Sequence, residues 1–225
     1  DGYRITAAQL AAAITPRSRW LLLNSPGNPT GAVFSPDALA AVAKLAVERD
    51  LWIVSDECYE SLTYEGRHVS IASLSSEVKA RTIVVNTCSK AYAMTGWRIG
   101  AAYAPAPLAK AIANLQSHTT SGANHPAQVA AAAAFADPKV EQEVVKMTAA
   151  FRRRRDRLVE RFRTEAPGVE FVEPHAVDDA CMIELVGNNC VLLTQQCLKQ
   201  PAVRVKAGRV KYRVFGPEKL ADLAL

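Results

Sequence analysis

At 225 residues the chain is long enough for one large domain or a domain and a half. Its 49% hydrophobic and 22% charged content is that of a globular protein able to bury a core. The net charge of +5 is spread without interleaved aromatics, so no nucleic-acid partner is expected, and no apolar run reaches membrane-spanning length. The one dense basic run, Arg152 to Arg155, reads as a solvated helix face. Five cysteines without a C-x-x-C pair, and no secretory leader, fit reduced thiols and a cytoplasmic setting. The opening D-G-Y-R-I-T, with no initiator methionine, reads as an internal stretch of a longer chain.

In chain order, Thr6 followed by Gln9 forms a capping box before A-A-Q-L-A-A-A-I and predicts a short helix. Arg19 to Leu23 reads as a buried strand, running into a Pro/Gly/Asn-rich loop from Asn24 to Gly31. Ser35-Pro36 starts a helix reaching about Asp50, which feeds the apolar strand L-W-I-V-S-D. A further strand, T-I-V-V-N-T, ends at Thr87, and I-G-A-A-Y-A follows from Ile99. Helices are predicted over Pro107–Ser117, Pro126–Phe135 and Pro138–Thr164, and V-E-F-V-E after Pro167 is a possible strand. Apolar strands alternating with amphipathic helices predict an α/β domain with a mostly parallel sheet covered on both faces. Trp20, Trp52 and Trp97 are read as core or site-wall residues.

Ligands of α/β sheets gather at the strand ends, which singles out Asn28, Asp56, Tyr59, Thr87, Ser89, Lys90 and Arg98. Singly, each has an ordinary reading: turn, cap or surface charge. Together they suit a pyridine-aldehyde cofactor. Lys90 offers the amine for a Schiff base, and Asp56 a carboxylate that keeps a ring nitrogen protonated. Tyr59 and Asn28 offer hydrogen bonds at the phenolic oxygen. Thr87, Ser89 and Arg98 offer hydroxyls and a planar cation for a phosphate.

The segments N-S-P-G-N-P-T-G (Asn24–Gly31), S-D-E-C-Y (Ser55–Tyr59) and T-C-S-K-A-Y-A-M-T-G-W-R-I-G (Thr87–Gly100) resemble three successive signatures of the class I/II aminotransferases of PLP fold type I. The segment L-Q-S-H-T-T-S-G-A-N-H-P-A-Q (Leu115–Gln128) is similar to another stretch of that family, and the flavour is nearest the bacterial aspartate/prephenate branch. The resemblance implies pyridoxal 5'-phosphate held by Lys90, which also acts as general base and acid, with Asn28 touching substrate as well. It implies amino-acid and 2-oxo-acid substrates and a homodimer in the full-length family.

The same resemblance implies that over a hundred family residues precede this chain's first, among them the glycine-rich phosphate loop and the ring stacked on the cofactor. Strands left without those partners are expected to have exposed edges. Beyond His175 the family pattern is lost, and Arg209, within G-R-V-K-Y, is the candidate for the substrate-carboxylate clamp, with Arg213 as rival and an ordinary basic edge strand as the plain alternative. The expected division is a partial PLP-binding large domain over residues 1–137, a bridging helix over 138–165 and a small α+β domain over 166–225. The expected function is amino transfer, of aspartate or prephenate type, by a fragment of reduced activity. A fold-type-I lyase or synthase and a non-catalytic remnant are the alternatives.

Overall fold

A computed structural model describes residues 3–166, 168 and 171–176. Four strands form one sheet in the order β1-β2-β3-β4: β1 (Trp20–Asn24), β2 (Trp52–Asp56), β3 (Thr82–Thr87) and β4 (Gly100–Tyr103). The first three run parallel, with Asn24 beside Asp56 and Asp56 beside Val85, so their C-terminal ends share one sheet edge. β4 is antiparallel to β3, pairing Gly100 with Thr87.

The helices begin where the sequence signals place them. α1 (Ala7–Ala13) carries the full Thr6/Gln9 capping box, and α2 (Pro36–Glu48) has Ser35 as N-cap with proline in its first turn. The short α3 (Ser76–Lys79) leads into β3, and the equally short α4 (Cys88–Ala91) leaves it. α5 (Ala106–Thr119), α6 (His125–Ala136) and α7 (Pro138–Glu165) follow β4. The 28 residues of α7 correspond to about 42 Å of helix.

Successive strand residues face opposite sides of a sheet. Leu21, Leu23 and Ile53 enter one core with Leu39, Val42, Ala46 and Val78, so α1, α2 and α3 cover that side. On the other side Trp20 is 52% exposed, Leu22 74%, and Trp52 and Val85 37% each. The expectation of a sheet covered on both faces is therefore not met among the described residues; of the tryptophans expected in the core or the site wall, Trp97, 49% exposed, is not in a core, and neither are Trp20 and Trp52. The two tryptophans instead stack on each other, ring centroids 5.8 Å apart, on the open side. A short run such as W-L-L-L-N has the apolar content of a doubly covered strand, but it alternates exposed and buried.

Two smaller clusters lie beyond the strand ends. Ala127 and Ala131 of α6 pack on Cys88, Met94 and Ile99, while Val144 of α7 packs with Tyr59, Leu62 and Ala91. Of the basic run in α7, Arg152, Arg153 and Arg154 are exposed, as expected of a solvated face, but Arg155 is buried. The possible strand at V-E-F-V-E lies partly outside the described residues; nearby, Thr63 forms an isolated antiparallel bridge with Ala176. Arg209, Arg213 and nearly all of the expected small domain lie outside the described residues.

Candidate active site

Three loops meet at the C-terminal edge of the parallel strands. The first follows β1. The Asn24 side chain accepts the Asn28 N–H at 2.8 Å, and Gly27 and Gly31 close the turn through Gly27 N–H to Ala32 O (2.8 Å) and Gly31 N–H to Gly27 O (2.7 Å). Ser25–Pro26 and Asn28–Pro29 are cis peptides. This folding presents the Asn28 amide, whose Nδ2 donates to the Tyr59 hydroxyl at 3.1 Å.

The second loop follows β2. Asp56 Oδ1 accepts the Cys58 N–H at 3.2 Å, an Asx turn that bends the chain straight after the strand. Tight turns follow, Glu60 N–H to Glu57 O and Leu62 N–H to Tyr59 O, both 2.9 Å. They seat the Tyr59 ring, 2% exposed, against Leu62, Ala91 and Val144. Asp56 shares its sheet face with Asn24 and Val85, whereas its neighbour Glu57 faces the covered side. There the buried Glu57 carboxylate accepts from Ser55 Oγ (2.8 Å) and Ser70 Oγ (2.9 Å) and meets His68 Nε2 at 3.0 Å. Two adjacent acids thus have separate surroundings: Glu57 is committed to internal hydrogen bonds, and Asp56 is left partly exposed at the strand end.

The third loop follows β3. Thr87 caps α4, its Oγ1 accepting the Ser89 N–H at 3.1 Å, and lies 3.0 Å from Ser89 Oγ and 3.1 Å from the Ile99 carbonyl oxygen. Lys90, half-buried on α4, holds its ammonium 5.4 Å from the centre of the Tyr59 ring, within cation–π range. Arg98 adopts a left-handed backbone, φ 51°, and its Nη1 donates to Thr95 O at 2.9 Å. Its neighbour Ile99 is bound through its carbonyl to Thr87 Oγ1 and Cys88 N, so the Arg98 backbone is anchored beside the two hydroxyls. Its guanidinium, however, is turned to Thr95 rather than to Thr87 or Ser89.

Burial pushes the Cys88 thiol above its usual range, so at neutral pH it is a protonated packing group beside Lys90. Burial first, and the Glu60 charge second, likewise raise the Tyr92 phenol. The structure therefore brings Asn28, Tyr59 and Lys90 into one contact set, with Asp56, Thr87 and Ser89 along the same strand edge and Arg98 at its margin. The set fits pyridoxal phosphate by its chemistry: one amine, one partly exposed strand-end carboxylate, an amide–phenol pair, two hydroxyls and a guanidinium. Sequence reasoning missed the Glu57–His68 pair and the burial of Arg155. Neither has a periodic signal, although Glu57 stands inside the S-D-E-C-Y segment.

A family model described as "Aminotransferase class I and II" matches residues 1–213, so the likeness extends past His175, beyond which the residue motifs are lost. The aspartate aminotransferase of Geobacillus stearothermophilus is 43% identical over 173 residues, covering 76% of this chain and 43% of the relative. The probable aspartate/prephenate aminotransferase of Aquifex aeolicus is 39% identical over 213 residues, 92% of this chain and 54% of the relative. Among solved structures, the Thermus thermophilus aspartate aminotransferase with maleate superposes with a TM-score of 0.72 at 42% identity, over 78% of this chain and 45% of that one. The chain spans about half the length of the curated relatives it matches. Matched by that family model over nearly its whole length, and by relatives about 40% identical over most of it, the chain belongs to the class I and II aminotransferase family, whose cofactor is pyridoxal phosphate.

Proposed function

We propose that this chain carries the lysine side of an amino-acid aminotransferase site, which moves an amino group from an amino acid to a 2-oxo acid, of aspartate or prephenate type. The observation that carries this reading is the convergence of Lys90, Tyr59 and Asn28 from three separate segments: an ammonium 5.4 Å from the ring centre, and the ring's hydroxyl 3.1 Å from the amide. Bound pyridoxal phosphate supplies an electron sink for the pair left when the substrate's α-C–H bond breaks.

Everything else is done by the protein. Lys90 provides the amine that attaches the cofactor. Once free, the same amine would serve as base and then as acid for the proton of the substrate's α-carbon. Asp56, on the open sheet face, would keep the cofactor's ring nitrogen protonated. The Asn28 amide and the Tyr59 hydroxyl orient the phenolic oxygen, and Asn28 also meets substrate. Thr87, Ser89 and Arg98 take the phosphate, Arg98 by turning its fork from Thr95 toward the hydroxyls. Arg209 is the proposed clamp on the substrate carboxylate. In this reading residues 1–137 are a PLP-binding domain portion, 138–165 a bridging helix and 166–225 a small domain, within a cytoplasmic homodimer.

The test is to add pyridoxal phosphate to the chain, record the visible absorption band, fix the adduct with borohydride and map it. A band in the wild type, absent from Lys90→Ala, with the label on Lys90, is the expected result. No band in the wild type, or the same band in the variant, refutes the cofactor reading. With a band in hand, turnover of aspartate that depends on an added 2-oxo acid supports amino transfer, whereas pyruvate release from a thioether amino acid without it replaces amino transfer by elimination.

A further inference from the structure

Arg155 is the point where three segments far apart in sequence meet. It is 7% exposed, inside a helix whose other arginines of the run are in water. A buried charge is tolerated only when paired and hydrogen-bonded, and a guanidinium presents its donors in one fixed plane. Its Nε donates to Asp156 Oδ1 at 2.6 Å, and its Nη1 donates to the Pro174 carbonyl and lies 3.3 Å from Glu173 Oε1. Its Nη2 lies 3.6 Å from Glu65 Oε1, and the guanidinium sits over the Tyr64 ring, 4.8 Å from its centre.

Both contacts lead to the candidate site. Beyond Pro174, the His175 and Ala176 amides both donate to the Gly31 carbonyl, at 3.0 and 3.1 Å, and Gly31 closes the turn that presents Asn28. Pro174 also lies so close to Gly31 that a Cβ there would sit 2.5 Å from the proline Cβ. Tyr64 donates its N–H to His175 O at 2.9 Å, which ties the same strip to the loop carrying Tyr59. The two routes end on the two partners of one hydrogen bond, Asn28 Nδ2 to Tyr59 Oη.

We infer that Arg155 is a positioning residue: by holding Pro174 and Tyr64 it fixes the loops that set the Asn28–Tyr59 pair. Its effect on the cofactor rests on the reading under Proposed function, but its effect on the loops does not. Helix stability alone is the competing role, and the two differ in where they are felt. Loss of a global anchor speeds amide exchange everywhere, the central strands included. Loss of a local clamp speeds it in the Gly27–Ala32 turn and at His175 and Ala176 first.

The experiment compares the full chain with Arg155→Met and Arg155→Lys by amide hydrogen exchange without cofactor, then by pyridoxal phosphate titration. Arg155→Met is expected to speed exchange in those loops about 10- to 100-fold, the effect of one lost buried hydrogen bond, while Ile53 and Val84 keep their wild-type rates. Arg155→Lys, which keeps the charge without the planar fork, is expected to fall between, and it decides the matter if Arg155→Met does not fold. Unchanged loop exchange, or equal acceleration of loops and strands, overturns the inference. A weaker cofactor affinity in a variant with loosened loops supports the link to Asn28 and Tyr59, and an unchanged affinity overturns that link. A wild-type chain that takes up no cofactor refutes the cofactor reading and this link with it, while the loop rates still decide what Arg155 does.

Discussion

Replacing Gly31 with alanine tests how tightly the Pro174–Ala176 strip is seated. Gly31 has φ +63°, and a Cβ added there would lie 2.5 Å from Pro174 Cβ and 2.9 Å from the Ala176 carbonyl oxygen. The left-handed backbone costs an alanine about 1–2 kcal/mol. Forcing backbone and a proline ring aside adds about 1–3 kcal/mol, as other overpacked sites do. Gly66 provides the control, because its φ is +71° yet nothing lies within 4 Å of its added Cβ. Gly66→Ala therefore carries the backbone part alone. The difference between the two variants isolates the packing part, and at about 2–4 °C per kcal/mol for a chain of this size it amounts to several degrees. Thermal and urea unfolding followed by far-ultraviolet circular dichroism measure both. Equal destabilisation of the two variants would show that the strip does not rest on Gly31 in solution, and would remove the first of the two routes from Arg155 to Asn28.

Two further outcomes are expected. Leu22→Lys, on the open sheet face where Leu22 is 74% exposed, should change stability by no more than about 0.5 kcal/mol, whereas Ile53→Ala, one strand away at 0% exposure, should cost about 2–5 kcal/mol. Comparable losses in urea unfolding would mean that the open face is covered in solution. For pH, the buried Cys88 thiol titrates higher folded than unfolded, so its contribution to stability is complete below the unfolded thiol pKa, about 8.5, and is lost as pH rises through the folded value. Tyr92 adds a loss of the same sign from about pH 10 upward. Cys88→Ala should therefore lose stability less steeply than wild type above about pH 8.5, and parallel pH profiles of the urea midpoint would contradict this.

Much of this was legible from the residues. Thr6 with Gln9 and Ser35 with Pro36 state their helix starts locally, because a cap needs only the adjacent turn. The strand-end residues could be chosen because a parallel sheet collects them at one edge, which holds whatever lies on its faces. What escaped is what depends on distant partners. W-L-L-L-N has the same letters whether one or both of its faces are packed, so the exposure of Leu22 had no sequence signature. Arg155 is the fourth of four arginines, and what sets it apart from the other three lies far along the chain, as with Pro174, 19 residues after it, and Tyr64, 91 before. The turn of Arg98 toward Thr95 likewise reflects a left-handed residue that no propensity assigns to arginine.

The open face also governs how this molecule reports on itself. All three tryptophans, Trp20, Trp52 and Trp97, are at least 37% exposed in the folded chain. Their emission already comes from indoles in contact with water, so unfolding has little red shift left to produce. Fluorescence is a poor gauge of folding for this chain, but the stacked Trp20–Trp52 pair makes it a sensitive one for coverage. Whatever settles on that sheet face must dry two indoles at once, and a blue shift would announce it.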